Sequence, residues 1–221
     1  MNKIKALGLC GLARCGKDSF FSIANAELSN MGYTPVKVSF AEPLRSDLDE
    51  FLIKKTGISA FTEKGEEKEI IRDFLVAYGT KLMRKIDEDC WIKKIRLHVE
   101  GIQAKGHLPV FTDVRYPNEL SWVKNDLKGL IIHISRTNNT PPNEEESLND
   151  PILSSKADHK FEWDDFFPFT EEAAYDSWIG ERDTQPSSQD IRAVKSAIHH
   201  LLKPKEASNV NAKLSNINES A

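Results

Sequence analysis

Residues Leu7–Ser22, LGLCGLARCGKDSFFS, constrain this chain more than any other stretch. An apolar run from Ile4 to Cys10 stops at Gly11, and Gly16-Lys17-Asp18-Ser19 opens a segment whose apolar residues recur at helical spacing. The order is strand, loop, helix, and the loop reads Gly11-x-x-x-x-Gly16-Lys17, the pattern of a phosphate-binding loop. Each part has a physical reason. Glycine permits left-handed backbone, so successive N–H groups can line a concavity. The helix that follows adds its unpaired N–H groups and the positive end of its dipole. Lys17 supplies a compact charge for the β- and γ-phosphates, so a polyphosphate with Mg²⁺ is the expected ligand. The Ser or Thr that usually follows the lysine and ligates magnesium is replaced by Asp18, with Ser19 one place later; this pair is the expected metal-holding group.

A chain of 221 residues, 39% of them hydrophobic, is long enough for one α/β domain and short for two large ones. A net charge of −4 argues against nucleic acid or an anionic membrane as the main partner. Cys10, Cys15 and Cys90 have no metal-ligand spacing, Met1-Asn2-Lys3 does not open a secretory leader, and no apolar run approaches the roughly 20 residues needed to cross a bilayer. A reducing cytoplasm is the expected compartment.

Along the chain, Phe20, Ile23, Ala24, Leu28 and Met31 predict a first helix ended by Gly32. Pro35–Phe40 reads as a second strand and Leu44–Lys55 as a helix with Pro43 in its first turn. The glycine- and charge-rich stretch Thr56–Glu69 reads as a mobile, solvated insertion. Ile70, Ile71, Phe74, Leu75, Tyr78 and Leu82 predict a long helix burying one stripe, with Arg72 and Gly79 together on another face. Trp91, Ile92, Ile95 and Val99 continue helical spacing to Gly101. Leu108–Thr112 is a third strand ending at Asp113-Val114-Arg115, Pro117–Leu127 a helix closed by Gly129, and Leu130–Ser135 a fourth, doubly buried strand. Thr137–Ser155 suits a lid or an ordinary surface loop equally, and Lys156–Phe169 fits no element. Tyr175–Ile179 is read as a fifth strand and Ile191–Leu202 as a final helix stopped by Pro204, with 205–221 a disordered tail. Alternating strands and helices predict a parallel sheet whose ligands sit beyond the carboxyl ends of the strands. The loop, Asp113-Val114-Arg115 and Arg136 therefore belong to one rim.

Three ordered blocks suggest a family: Gly11–Ser19; Arg72, Tyr78-Gly79-Thr80, Arg84-Lys85-Ile86-Asp87 and Trp91; and Thr112-Asp113-Val114-Arg115-Tyr116-Pro117-Asn118-Glu119. Together they resemble the deoxynucleoside monophosphate kinases typical of tailed bacteriophages, over about residues 4–136 and more faintly 175–202. The resemblance implies a P-loop, nucleoside-monophosphate-kinase-like α/β fold. About five parallel strands would be flanked by helices in a single domain over 1–204, with a helical acceptor-binding insertion at about 44–100 and a lid at about 137–170. It also implies transfer of the γ-phosphoryl of ATP to a deoxynucleoside 5′-monophosphate in phage nucleotide metabolism, in the host cytoplasm; a homodimer is left open. By carry-over, Gly11, Arg14, Gly16, Lys17, Asp18 and Ser19 match the ATP-phosphate site, with Arg136 added as a rim cation. Arg72, Gly79, Trp91, Asp113, Arg115 and Glu119 match the acceptor site, with Arg84 as a further candidate. Lys17, Arg14, Arg115 and Asp113 are the candidate catalytic residues, Asp113 also as a carboxylate that steers magnesium through water. Trp91 either faces the nucleoside or is core, and Arg84 and Arg136 are either site residues or surface arginines.

Departures from the family stand at Ile179-Gly180-Glu181-Arg182-Asp183, in place of its Asn-Asp/Gly turn, and in the lid, where no matching motif is found. Two other readings remain open: a small-metabolite phosphokinase of the same fold, such as a phosphomevalonate kinase, and a regulatory protein that binds nucleotide without turnover.

Overall fold

Strand β1 (Leu7–Cys10) is buried along its whole length because it runs through the middle of a sheet. A computed structural model of the chain describes residues 4–163 and 187–202. From β1 the chain passes through α1 (Lys17–Asn30), β2 (Pro35–Val38), α2 (Ala41–Thr56) and α3 (Gly65–Val76), then a π-helical stretch, Ala77–Met83, that runs into the single turn α4 (Arg84–Ile86). It continues through α5 (Cys90–Ala104), β3 (Leu108–Val114), α6 (Pro117–Ser121) with a π-helical extension Trp122–Asp126, β4 (Leu130–Arg136), α7 (Glu144–Lys156), β5 (His159–Trp163) and α8 (Ser188–Leu202).

The five strands pair in the order β2-β3-β1-β4-β5, every pair parallel. Leu7 lies opposite Val110 of β3 and Leu130 of β4. Side chains alternate between the faces, as the two-residue strand period requires. Leu7, Leu9, Val110, Ile132 and Ile134 pack with Phe20 and Leu28 of α1 and Val194 and Ile198 of α8. Cys10, Phe111, Val114 and Ile131 pack on the other face with Ile92 and Val99 of α5, Leu120 and Trp122, and Leu153 of α7. This is the expected α/β arrangement, a parallel sheet covered on both sides. A smaller cluster of Leu48, Leu52, Ala60 and Ile71 joins α2 to α3 at one side of the rim.

Several elements differ from the sequence reading. Strand β2 ends at Val38, two residues short of the expected end, and helix α2 begins at Ala41, three residues before the expected start at Leu44. Residues 56–69 are no mere solvated insertion: Ala60 is buried, and the Asp49 carboxylate accepts hydrogen bonds from Ser59 Oγ and Ala60 N. The apolar stripe expected on the long helix divides, with Ile71 buried while Ile70, Phe74 and Leu82 are exposed. Gly101 does not end α5, which runs three residues further. The sheet's edge strand is His159–Trp163, inside the stretch that fitted no element; the strand read at 175–179 and the tail at 205–221 lie outside the described residues. Within the lid expected over 137–170, Phe161, Trp163 and Leu153 belong to the core, and among the described residues Pro142, Asn143, Glu145, Glu146 and Asn149 reach the cavity described below.

Candidate active site

The turn out of β1 needs its two glycines for reasons of space as well as conformation. Gly11 has φ +128°, and a Cβ there would lie 2.0 Å from the carbonyl oxygen of Ile134. Gly16 has φ +88°, and its Cβ would come 2.6 Å from Nε1 of Trp163. Arg14 between them also takes positive φ, +62°. Helix α1 then starts at Lys17, whose ammonium folds back to donate to the carbonyls of Gly11 at 2.8 Å and Leu12 at 2.7 Å. Cys15 is buried within the loop with its sulfur 3.5 Å from Lys17 Nζ. Burial pushes its thiol pKa up, against the opposing pull of that ammonium, which disfavours the thiolate.

At the end of β3, Asp113 turns to the start of α2. Its carboxylate accepts from Ser39 Oγ at 2.6 Å and from the backbone N–H groups of Phe40 at 2.9 Å and Ala41 at 3.0 Å. Those N–H groups have no partner inside the helix, so Asp113 caps α2 from a neighbouring strand. Two residues on, Arg115 donates to Glu146 Oε1 at 2.8 Å.

Glu119 sits in the first turn of α6. Its Oε2 accepts from the backbone N–H groups of Arg115 and Tyr116, and its Oε1 pairs with Arg84 Nη1 at 3.2 Å. Burial raises its carboxyl to about 7, although Arg84 and the Arg115 and Tyr116 amides pull the other way. Arg84 also donates to Asn118 Oδ1 and lies with its guanidinium carbon 3.5 Å from the centre of the Tyr116 ring. Its side chain is 8% exposed, so it is no surface arginine.

These groups line one cavity of about 380 Å³ beside the loop, within the range of small-ligand sites. Arg14 of the loop, Arg72, Gly79, Arg84, Trp91, Asp113, Arg115 and Glu119 all contribute to it. Phe40, Leu44, Ile71, Leu75 and Val76 form an apolar wall. At Gly79 a Cβ would lie 2.0 Å from Leu44 Cδ1, which would have to turn aside, and the Gly79 carbonyl accepts from Trp91 Nε1 at 3.3 Å. Trp91 is buried as well as lining the cavity. Arg72 is half exposed and pairs with Glu69.

The remaining expected residues lie elsewhere. Gly11, Gly16, Lys17, Asp18, Ser19 and Arg136 do not line this cavity. Gly11 instead borders a small adjoining recess that shares Arg115 and Glu146 with it. Asp18 is exposed and paired with Lys37 at 2.8 Å, Ser19 is exposed beside it, and Arg136 ends β4 opposite Trp163. For magnesium the fit is therefore split: the Ser19 hydroxyl is accessible at the helix start, while the Asp18 carboxylate is engaged by an ammonium.

Sequence reasoning passed over Glu146, Glu145 and Asn143, and did not place Tyr116 at the site. Glu146 Oε2 accepts from the backbone N–H of Ala13 in the loop at 2.7 Å, and Tyr116 Oη bonds to Thr80 and Glu145. A signal was present in Asn143-Glu144-Glu145-Glu146, a capping residue followed by an acidic first turn; Asn143 Oδ1 does accept from Glu146 N.

No family model matches the sequence, and no curated protein does. Among solved structures, the chain is similar to shikimate kinase from Bacteroides thetaiotaomicron, at 11% identity and a TM-score of 0.36, over 91% of this chain and 100% of that one.

Proposed function

We propose that the chain is an ATP-dependent phosphotransferase whose acceptor is a deoxynucleoside 5′-monophosphate, yielding the diphosphate and ADP. The observation that carries this reading is the single cavity in which Arg14 of the loop meets Arg72, Arg84 and Arg115 across from an apolar and aromatic wall. Two phosphorylated molecules repel one another, and the main task of such a site is to neutralise and align them. An acceptor phosphate is already anionic at neutral pH, so its oxygen bonds to the γ-phosphorus without a catalytic base while the bond to the bridging oxygen of ADP breaks.

In this reading the loop amides, Arg14 and Lys17 hold the ATP phosphates, and Lys17 leaves its two loop carbonyls to do so. Magnesium supplies charge neutralisation at those phosphates. The Ser19 hydroxyl would hold it, with Asp18 reaching it once released by Lys37. Arg115 and Arg72 take the acceptor phosphate, and Arg84, fixed by Glu119, keeps Tyr116 flat against the cavity.

The aliphatic part of the wall, Leu44, Ile71, Leu75 and Val76, also suits a small phosphorylated metabolite without a base. An ADP-release assay across the four deoxynucleoside monophosphates and a set of non-nucleotide phosphomonoesters decides between the two. Faster ADP formation with at least one nucleotide supports the nucleotide reading. ADP formed only with the other esters replaces it, and ATP binding with no acceptor-dependent ADP marks a regulatory protein.

A further inference from the structure

The Glu146 side chain touches both halves of the site. Its Oε2 accepts from the Ala13 amide of the phosphate loop at 2.7 Å, its Oε1 accepts from Arg115 Nη1 at 2.8 Å, and the side chain is only 11% exposed. The same chain segment grips the Ala13 peptide from its other end, since Asn139 Nδ2 donates to Ala13 O at 3.0 Å. A loop N–H and an arginine converging on two oxygens of one anion are the donor set that would hold a phosphoryl group, at charge-assisted distances. We propose that the Glu146 carboxylate occupies the seat of the phosphoryl group in transit and acts as a built-in competitor that sets which anions the loop accepts. This rests on the phosphotransferase reading and names the residue that tunes it.

The selectivity follows from charge and tethering. A carboxylate carried on the same chain faces the loop at a high effective concentration. A lone small anion offers Ala13 N–H and Arg115 little that Glu146 does not already offer. A polyphosphate brings more charge, and it recruits Lys17, whose ammonium Glu146 does not engage and which otherwise spends its donors on Gly11 and Leu12. Polyphosphate therefore displaces Glu146, and orthophosphate does not.

The test is calorimetric titration of the full chain with ATP and, separately, with inorganic phosphate, in wild type, Glu146→Gln and Glu144→Gln. Glu144 lies in the same helical turn, so its variant removes the same charge from outside the contact. Glu146→Gln is expected to bind ATP about tenfold more tightly than wild type and to gain measurable affinity for inorganic phosphate, with Glu144→Gln unchanged. Equal or weaker ATP binding by Glu146→Gln overturns the inference and leaves the phosphotransferase reading standing. No ATP binding by any of the three chains overturns both. A second measurement needs no variant: in hydrogen exchange of the wild type, ATP should slow residues 11–17 and speed residues 143–149. Slowing of both segments sinks the proposal.

Discussion

Arg84 and Glu119 form an ion pair at 3.2 Å with side chains 8% and 3% exposed, joining α4 to the first turn of α6. Removing one member of such a pair leaves the other buried and uncompensated, at a cost of about 3–5 kcal/mol. Arg84→Ala is expected to lose stability on that order at pH 8 in urea unfolding. It should lose less at pH 5.5, where Glu119 takes up a proton.

The raised carboxyl of Glu119 has a sign that can be checked by itself. In the folded chain it titrates near 7, against an ordinary value of 4.5. The folded state therefore holds a proton that the unfolded state has released between these values, and the stabilisation is full below about 4.5 and lost as pH rises through about 7. The stability of wild type minus that of Glu119→Gln should fall across this window, by at most about 1.4 kcal/mol per pH unit. A flat difference would mean that Glu119 is ionised throughout.

Lys17→Ala is expected to lower turnover at least a hundredfold, the order set by one preorganised charge worth about 3 kcal/mol. Near wild-type turnover would remove the loop from the mechanism.

Arg115→Ala should raise the acceptor KM at least tenfold while calorimetric binding of ATP is retained. Arg115 is half exposed and its side chain donates to Glu146, so an unchanged thermal melting point is the control for folding. Equal loss of acceptor and ATP binding would place Arg115 outside the acceptor site.

Two alanine substitutions separate spatial need from helix propensity. At Gly11 the new Cβ meets a backbone carbonyl that cannot step aside, and the residue also has positive φ; Gly11→Ala should cost more than about 3 kcal/mol. Gly101, inside α5, has nothing within 4 Å of that position. Gly101→Ala should therefore stabilise by about 0.5–1 kcal/mol. Urea unfolding of both variants checks the contrast.

Where the apolar period was strong the sequence was legible: β1, β3, β4, α1 and α5 are recognisable from Ile4–Cys10, Leu108–Thr112, Leu130–Ser135, Phe20–Met31 and Trp91–Val99. Arg72 and Gly79, placed together by their spacing of seven, both line the cavity. Other features depended on partners far along the chain. Asp113 lines the cavity, but that its oxygens also serve Ser39, Phe40 and Ala41 is not visible in the sequence. Helix α7 was hidden because Leu153 alone among its residues is buried and Pro151 interrupts the pattern. Strand β5 escaped notice because its buried residues, Phe161 and Trp163, alternate with exposed Lys160 and Glu162 as on an edge, over only five residues. Glu146 reads as one of three consecutive glutamates, and only the fold singles it out.

Pro151 carries a consequence for how α7 yields. A proline has no amide hydrogen to give to the carbonyl four residues earlier, so the rung from residue 151 back to Ser147 is missing. On one side of that gap lies Glu146, fastened to the loop and held by the Asn143 cap; beyond it lies Leu153, sunk beneath β1 and β4, while Asp150, inside the gap, is bound to His133 at 3.0 Å. The helix is thus a hinged latch, with its pin set in the sheet and its weakest rung just behind the catch.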